Sequence, residues 1–258
     1  MKQITFLFTI VILLTLGIGC QNKNQKSSST QKESSENIKA APDTGWTGIK
    51  QYFSGGRLVK EVTFKNGIRN GLMKTFDASG LLYQTFWYEN GQKQDTGKWF
   101  WPDGKVFRKT PFKDDSAHGI QLQYYKNGAV RAKLEFKNGI RTPYLEEFES
   151  NGRKISGYPD LVIKTTDEYN QTGKYKINLE LNNKRIPATF YRGEFTDGLF
   201  TPKKYLKLNN SETTGYLELN KSAAAGDTYV GIIAEIPTSL GNKYLVYKKI
   251  NLPYNNLK

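Results

Sequence analysis

The sequence predicts an all-β protein in which an elongated antiparallel β-meander is followed by a small β-sandwich. Aromatic residues recur in one register, turn dipeptides recur between them, and apolar and polar residues alternate with period two in the intervening runs. Of the 258 residues, 24 are Gly, 16 Tyr and 14 Phe. We expect two folded parts, at residues 44–153 and 154–258, after a signal at 1–19 and a tether at 20–43.

The region 44–153 is predicted to be a repeat array. A step of twelve gives nine aromatic residues, namely Tyr52, Phe64, Phe76, Tyr88, Phe100, Phe112, Tyr124, Phe136 and Phe148. Glycines recur every 24 residues at Gly56, Gly80, Gly104, Gly128 and Gly152, and again at Gly67, Gly91 and Gly139 with Asp115 in the missing place. The repeating unit is therefore 24 residues, built from two similar halves.

Each half reads as one strand and one turn. Dipeptides such as Asn66-Gly67 and Asn90-Gly91 suit the positive φ angles of tight hairpin turns. Between turns the apolar residues alternate with charged ones, as in the run 130–136. Because twelve is even, we expect even-numbered apolar residues to share one face of a meander of about nine strands.

These residues resemble a known family. The segments Phe64–Gly71 (FKNGIRNG), Tyr88–Gly91 (YENG) and His118–Gly128 (HGIQLQYYKNG) resemble the MORN-repeat variant, and the resemblance covers about residues 50–153. That family includes envelope lipoproteins and chains labelled as toxin-antitoxin antitoxins. The resemblance implies a non-catalytic sheet of MORN-type repeats that contacts proteins or lipid.

A set of large aromatic side chains at odd-numbered positions is the candidate binding face. It comprises Tyr83, Trp87, Trp99, Trp101, Phe107 and Tyr125. We expect these side chains to project opposite to the even-numbered apolar set, and exposed aromatic patches mark binding sites. Two alternatives are that the C-terminal part covers this face, or that the sheet twists until both faces are partly buried.

The amino terminus is predicted to be a secretory signal. Lys2 precedes an apolar run at 4–16, and Gly19-Cys20 precedes a polar stretch. This arrangement resembles a bacterial lipoprotein signal, with Gly17 where Leu is usual, and implies a lipid-carrying Cys20 after cleavage. The alternative is a Cys at the end of an ordinary secretory or anchor segment. Residues 21–43 are polar and are expected to form a disordered tether.

By the same resemblance we expect a lipid-anchored, palmitate-bearing protein of the cell envelope. Gln21 gives no inner-membrane retention signal of the Asp type, and no acidic cluster for surface export follows Cys20. The expected location is the periplasmic side of the outer membrane of a Gram-negative bacterium.

The C-terminal part, residues 154–258, contains seven short alternating runs. They lie near 160–166, 174–181, 186–193, 203–209, 214–220, 227–236 and 243–251. Seven strands in about 100 residues favour a β-sandwich of immunoglobulin-like type. The alternative is a continuation of the meander.

The sequence offers little for catalysis or for metal and cofactor binding. One Cys and one His exclude Cys-rich and His-rich metal centres. Asp43-Thr44-Gly45 matches a short aspartic-protease motif, but Asp115-Ser116-Ala117 is a poor second copy. His118 is explained by turn chemistry, and no nucleophile-elbow motif is present. We therefore expect a non-enzymatic protein without cofactor or metal.

The charge is basic but spread through the chain. The 38 Lys and Arg residues exceed the 24 Asp and Glu residues, which gives a formal net charge of +14. Because secretion opposes nucleic acid as the partner, we expect a membrane-anchored scaffold that binds an unidentified protein or glycan, in an oligomeric state that stays open. The alternatives are an antitoxin or immunity-type protein that binds a toxin, a structural spacer, and a hydrolase with an unrecognised site.

Overall fold

The computed structural model describes residues 45–258, so Cys20 and the predicted signal and tether lie outside the described residues. Nearly all regular structure is β. The strands are β1 Gly48–Ser54, β2 Arg57–Lys65, β3 Ile68–Phe76, β4 Leu82–Glu89, β5 Gln92–Phe100, β6 Val106–Lys113, β7 Ser116–Ala117, β8 Gly119–Tyr124, β9 Val130–Lys137, β10 Ile140–Glu147, β11 Leu161–Glu168, β12 Lys174–Leu181, β13 Thr189–Arg192, β14 Leu206–Lys207, β15 Thr214–Asn220, β16 Tyr229–Pro237 and β17 Lys243–Asn251. A helical turn, α1, spans Tyr169–Thr172, and a 3-10 turn spans Pro202–Lys204.

The first ten strands form one antiparallel sheet in chain order. The path runs β1-β2-β3-β4-β5-β6-β8-β9-β10, with the two-residue β7 pairing with the end of β6. Each strand on this path pairs with its successor along the chain, which is the definition of a meander. The predicted repeat sheet is therefore confirmed.

Two kinds of turn alternate along the sheet. At Asn66, Asn90 and Asn138 both the Asn and the following Gly have positive φ, as two-residue hairpin turns require. At the longer turns only the Gly has positive φ. There the Asn or Asp side chain instead accepts a backbone N–H two residues ahead, as from Ala129 to Asn127 Oδ1 at 3.0 Å. The predicted positive φ angles thus occur at both the Asn and the Gly of the two-residue turns, but only at the Gly of the longer turns.

The expectation that even-numbered residues share one face throughout is wrong. A two-residue turn pairs residues i and i+3, so cross-strand partners have opposite parity. Val62 pairs with Met73 across such a turn. Met73 pairs with Phe86 across a longer turn, where the bulge at Tyr83 makes the same change of parity. Because paired residues on antiparallel strands point to the same side, one face takes even positions from β2 and β4 and odd positions from β3. Even-numbered Leu72 and Ile120 are consequently exposed, at 39% and 40%.

A one-residue β-bulge recurs every 24 residues, in addition to register shifts in the β2–β3, β4–β5 and β9–β10 pairs. Four residues are skipped by the strand pairing, at intervals of 24, namely Val59, Tyr83, Phe107 and Arg131. A bulge leaves one residue without a partner, bends the strand and re-aims a side chain. The side chains at these positions therefore do not follow the simple alternation of their strands.

The C-terminal part is a β-sandwich. Its sheets have the orders β11-β12-β15 and β14-β13-β16-β17, and the fully buried Ile177, Leu219, Phe190 and Ile232 lie between them. A three-stranded sheet of strands one, two and five facing a four-stranded sheet of strands four, three, six and seven is an immunoglobulin-like arrangement. The structure confirms the predicted sandwich, although the run at 203–209 yields only the short strand β14.

Sheet and sandwich pack as one compact unit. The junction centres on Glu147, which is fully buried at the end of β10. Its carboxylate accepts hydrogen bonds from Tyr158 Oη at 2.9 Å, Thr238 Oγ1 at 2.8 Å and Asn242 Nδ2 at 2.7 Å. Since buried carboxylates are tolerated only when hydrogen-bonded, these three donors fix the sandwich against the end of the sheet.

Candidate functional site: a cleft between the sheet and the sandwich

The six predicted binding-face aromatics do not form one exposed patch opposite the even-numbered apolar residues. Trp99 is only 8% exposed, and its ring lies 5.2 Å from that of Phe86 in an edge-to-face contact. An odd-numbered and an even-numbered aromatic therefore share a face, because β4 and β5 have opposite parity. The expectation of a separate odd face fails for the same reason as the even face.

Trp87 is the member that lies on the other side of the sheet. It pairs with exposed Leu72, is itself 41% exposed, and donates its indole N–H to Glu89 at 3.2 Å. Tyr83, 46% exposed, occupies a bulge and lies near Arg108. The structure thus divides the predicted set, and the aromatics around Arg108 are the ones it brings together.

A cleft of about 240 Å³ lies where these aromatics meet the sandwich. Its lining residues are Trp101, Phe107, Arg108, Gln123, Tyr124, Arg131, Leu240, Gly241 and Asn242. The first six come from the turn after β5 and from β6, β8 and β9, and the last three belong to the turn between β16 and β17. The cleft therefore exists only because the two parts pack together.

The bulge in β6 explains how the aromatic wall forms. Trp99 pairs with Arg108 and Phe100 with Val106, so Phe107 is the unpaired residue. Re-aimed by the bulge, the Phe107 ring lies 5.0 Å from the Trp101 ring at an angle of 47°. Two aromatic rings and a guanidinium thus converge within eight residues of chain.

Arg108 forms the cationic floor of the cleft. Its guanidinium lies 3.8 Å from the centroid of the Trp99 ring, a cation–π contact. Burial lowers the pKa of Arg108, and the nearby Tyr83 phenol opposes that shift. Because an arginine stays protonated in proteins, the floor remains positive at neutral pH.

The other guanidinium in the cleft is already engaged. Arg131 donates to the backbone oxygen of Leu240, and its neighbour Gln123 donates to Asn242 Oδ1 at 2.9 Å. Gly241, at φ +76, allows the β16–β17 turn to bend towards the sheet. Arg131 therefore holds the wall of the cleft, whereas Arg108 keeps donors available.

Two of the predicted aromatics, Tyr125 and Trp99, lie beside the cleft rather than in it. Tyr125 donates its hydroxyl to the backbone oxygen of Phe148 at 2.7 Å, and the Arg131 guanidinium lies 6.0 Å from its ring. Trp99 lies beneath Arg108 as support. We conclude that Trp101 and Phe107 contact the open space, while Trp99 and Tyr125 position the residues around it.

Reasoning from the sequence missed Arg108 and Arg131. A signal was present in the repeat itself, because the positions 24 residues from Arg108 hold Gln84 and Ala132. The equivalent position of the first repeat holds Lys60, so an arginine, rather than a cation as such, distinguishes this copy. The contribution of the 240–242 turn could not be found in this way, since it comes from another part of the chain.

Other chemistry is sparse in the part of the chain that the structure describes. Between residues 45 and 258 no cluster of three or more His, Cys, Asp or Glu side chains could hold a metal ion. No helix in that range is long and apolar enough to span a bilayer. His118 contacts Asn138 Oδ1 at 3.1 Å through Nδ1, in agreement with the predicted turn role.

Comparison with known proteins identifies a family match within the repeat sheet. The MORN repeat variant family matches residues 96–114 and 117–138. No curated protein matches the chain. The matched segments contain all the sheet residues that line the cleft. The predicted MORN-repeat resemblance is confirmed for these residues, and the matched repeats form the sheet side of the cleft.

Proposed function

We propose that this protein is a lipid-anchored scaffold of the bacterial envelope that binds a protein or glycan partner in the cleft between its repeat sheet and its sandwich. The observation that carries the proposal is the convergence of Trp101, Phe107 and Arg108 in an open cleft. Aromatic rings and arginine are the side chains that contribute most to binding at interfaces. The MORN repeats support the scaffold part of the proposal.

The anchor is proposed from the amino-terminal sequence. The apolar run at 4–16 followed by Gly19-Cys20 supports cleavage before Cys20 and lipid attachment to its thiol. Two or more acyl chains hold a protein stably at a membrane, whereas one chain holds it only marginally. The polar stretch 21–43 would then hold the folded part off the periplasmic surface of the outer membrane.

The binding role is tested by site-specific photo-crosslinking in cells. A benzophenone amino acid replaces Tyr124, which lines the cleft, and in a matched strain replaces Phe53, which is 62% exposed on the edge strand β1. We expect a discrete crosslinked product from position 124 that disappears when Trp101→Ala is added. Equal products from both positions, or a product insensitive to Trp101→Ala, would contradict the proposed site.

The anchor is tested separately. In cells fed radiolabelled palmitate, the wild-type chain is expected to carry label and to fractionate with outer membranes. Cys20→Ser should lose both properties. If the variant incorporates as much palmitate as the wild type, the lipoprotein assignment is wrong, and the crosslinking result stands independently of it.

A further inference from the structure

We propose that the cleft binds the carboxylate of an acidic sugar residue, with Arg108 as its ionic partner. The inference rests on the proposed function and narrows its partner to a glycan that carries uronate-type groups.

Arg108 has no acceptor for its N–H groups among the described residues. Every other arginine in the described sheet donates to an oxygen. The pairs are Arg57 to Ala78, Arg69 to Gly91, Arg131 to Leu240, Arg141 to Lys243 and Arg153 to Glu149. Within residues 45–258, no ion pair includes Arg108, and its Nε is buried without a hydrogen-bond partner. The Nε of Arg141 is also without a partner, but Arg141 donates to Lys243 through another nitrogen, whereas Arg108 donates to no oxygen of that range. A partly buried cation without an acid partner is costly, so an anion from outside the chain would complete the site.

The position of the Arg108 guanidinium suits a carboxylate ligand. Its Cζ lies over the Trp99 ring, and its N–H groups have no acceptor in the described residues. A planar fork of N–H donors matches a carboxylate in a bidentate pair, which is the strong form of this contact. Lys126, whose Nζ lies 5.6 Å from the Trp101 ring, adds positive charge at the same end of the sheet.

The cleft also offers apolar surface for the rest of the ligand. The rings of Trp101 and Phe107 offer apolar surface against which the C–H face of a pyranose can pack. At about 240 Å³ the cleft is smaller than the ~300 to 1,000 Å³ of pockets that enclose drug-sized ligands. It therefore has room for one sugar residue of a longer chain.

An acidic peptide is the less suitable occupant. Extended peptides bind by adding a strand to an open sheet edge. The strands that line the cleft, β6, β8 and β9, are all interior to the sheet and have neighbours on both sides. No strand edge at the cleft is thus available for backbone pairing.

Isothermal titration calorimetry on the full chain in neutral detergent tests the inference. The probes are trigalacturonate, its methyl ester and hexaglutamate. The variants are Arg108→Gln, Arg108→Lys and Trp101→Ala, with Arg185→Gln as a control that removes the same charge from an exposed site on the sandwich. Melting curves followed by circular dichroism establish that each variant is folded. If Arg108→Gln does not fold, Arg108→Lys, which keeps the charge, tests the same position.

We expect saturable binding of trigalacturonate that weakens at least about tenfold in Arg108→Gln and Trp101→Ala and is unchanged in Arg185→Gln. The affinity of Arg108→Lys for trigalacturonate should lie between those of the wild type and Arg108→Gln, because lysine keeps the charge but lacks the planar fork of N–H donors. The methyl ester should bind at least about tenfold more weakly than the acid.

Three results overturn the inference: no saturable binding of trigalacturonate at millimolar concentration, equal binding of acid and ester, or unchanged binding in a folded Arg108 variant. Tighter binding of hexaglutamate than of trigalacturonate overturns the sugar assignment. If any of these occurs while the crosslink from position 124 persists, the proposed function survives and the acidic-sugar inference does not.

Discussion

Glu147→Gln is expected to destabilise the junction of sheet and sandwich by about 2 to 4 kcal/mol. The buried carboxylate accepts three hydrogen bonds, at 2.7 to 2.9 Å, from Tyr158, Thr238 and Asn242. A hydrogen bond to a charged group contributes about 1.5 to 3 kcal/mol, and removing one partner of a buried ionic group costs about 3 to 5 kcal/mol. Because Gln keeps the shape and one acceptor oxygen, the loss stays below the sum of the three bonds.

The neighbouring residue provides a matched control. Glu146 precedes Glu147 on β10 and faces the opposite side of the sheet, where it pairs with Lys133 at 3.3 Å and Lys154 at 2.6 Å. These partners are partly exposed, and such ion pairs contribute about 0 to 1 kcal/mol. Glu146→Gln therefore makes the same chemical change at a cost at least about 1 kcal/mol smaller.

The positions of the tryptophans allow the two parts to be followed separately in urea. All four lie between residues 46 and 101, so tryptophan fluorescence reports the sheet, whereas far-ultraviolet circular dichroism reports both parts. In Glu147→Gln we expect a lower midpoint and a fluorescence transition that separates from the dichroism transition. Equal midpoints for the two Glu variants, with coincident transitions in both, would refute the argument that Glu147 holds the junction.

Three further outcomes are expected. Gly97→Ala places a Cβ about 2.8 Å from ring carbons of Phe86, so overpacking should destabilise the sheet by about 1 to 3 kcal/mol in urea unfolding. Trp99→Ala should cost about 3 to 5 kcal/mol, whereas exposed Trp87→Ala should leave the melting temperature nearly unchanged, and reversed effects would contradict the assigned faces. Hydrogen bonding to Lys154 lowers the pKa of Glu146 from 4.5 to about 2. Its stabilising effect should be complete above pH 4.5 and lost towards pH 2, as measured by the difference in unfolding free energy from Glu146→Gln.

The strand and turn content could be predicted because it depends on local chemistry. Asn66-Gly67 and its equivalents specify two-residue turns through their φ preferences. Alternation specifies the sandwich strands, as in β12, where Tyr175, Ile177, Leu179 and Leu181 are all buried. In both cases the information is contained within a few neighbouring residues, which a single sequence displays.

The assignment of faces could not be predicted by counting along the chain. The step of twelve residues is even, which suggests that even-numbered residues stay on one face. The face that a side chain takes depends instead on the pairing across each turn, and a two-residue turn pairs residue i with residue i+3. The bulge at Phe107 changes the alternation again inside a strand. The two-residue turn and the bulge each shift the alternation by one residue. A one-residue shift moves a side chain to the other side of a sheet. The error concerning Trp99 follows from that sensitivity, whereas Trp87 is exposed on the predicted side.

The cleft combines a regular array with two departures from it. The bulge recurs every 24 residues, so Tyr83, Phe107 and Arg131 occupy equivalent places. Only at Phe107 is the following residue an arginine, and only the adjacent end of the array meets the 240–242 turn. The repeat thus supplies the same bent strand several times, and the proposed binding site is confined to the copy that has both the arginine and the covering turn. A site formed in this way is specific to one repeat even though the fold is periodic.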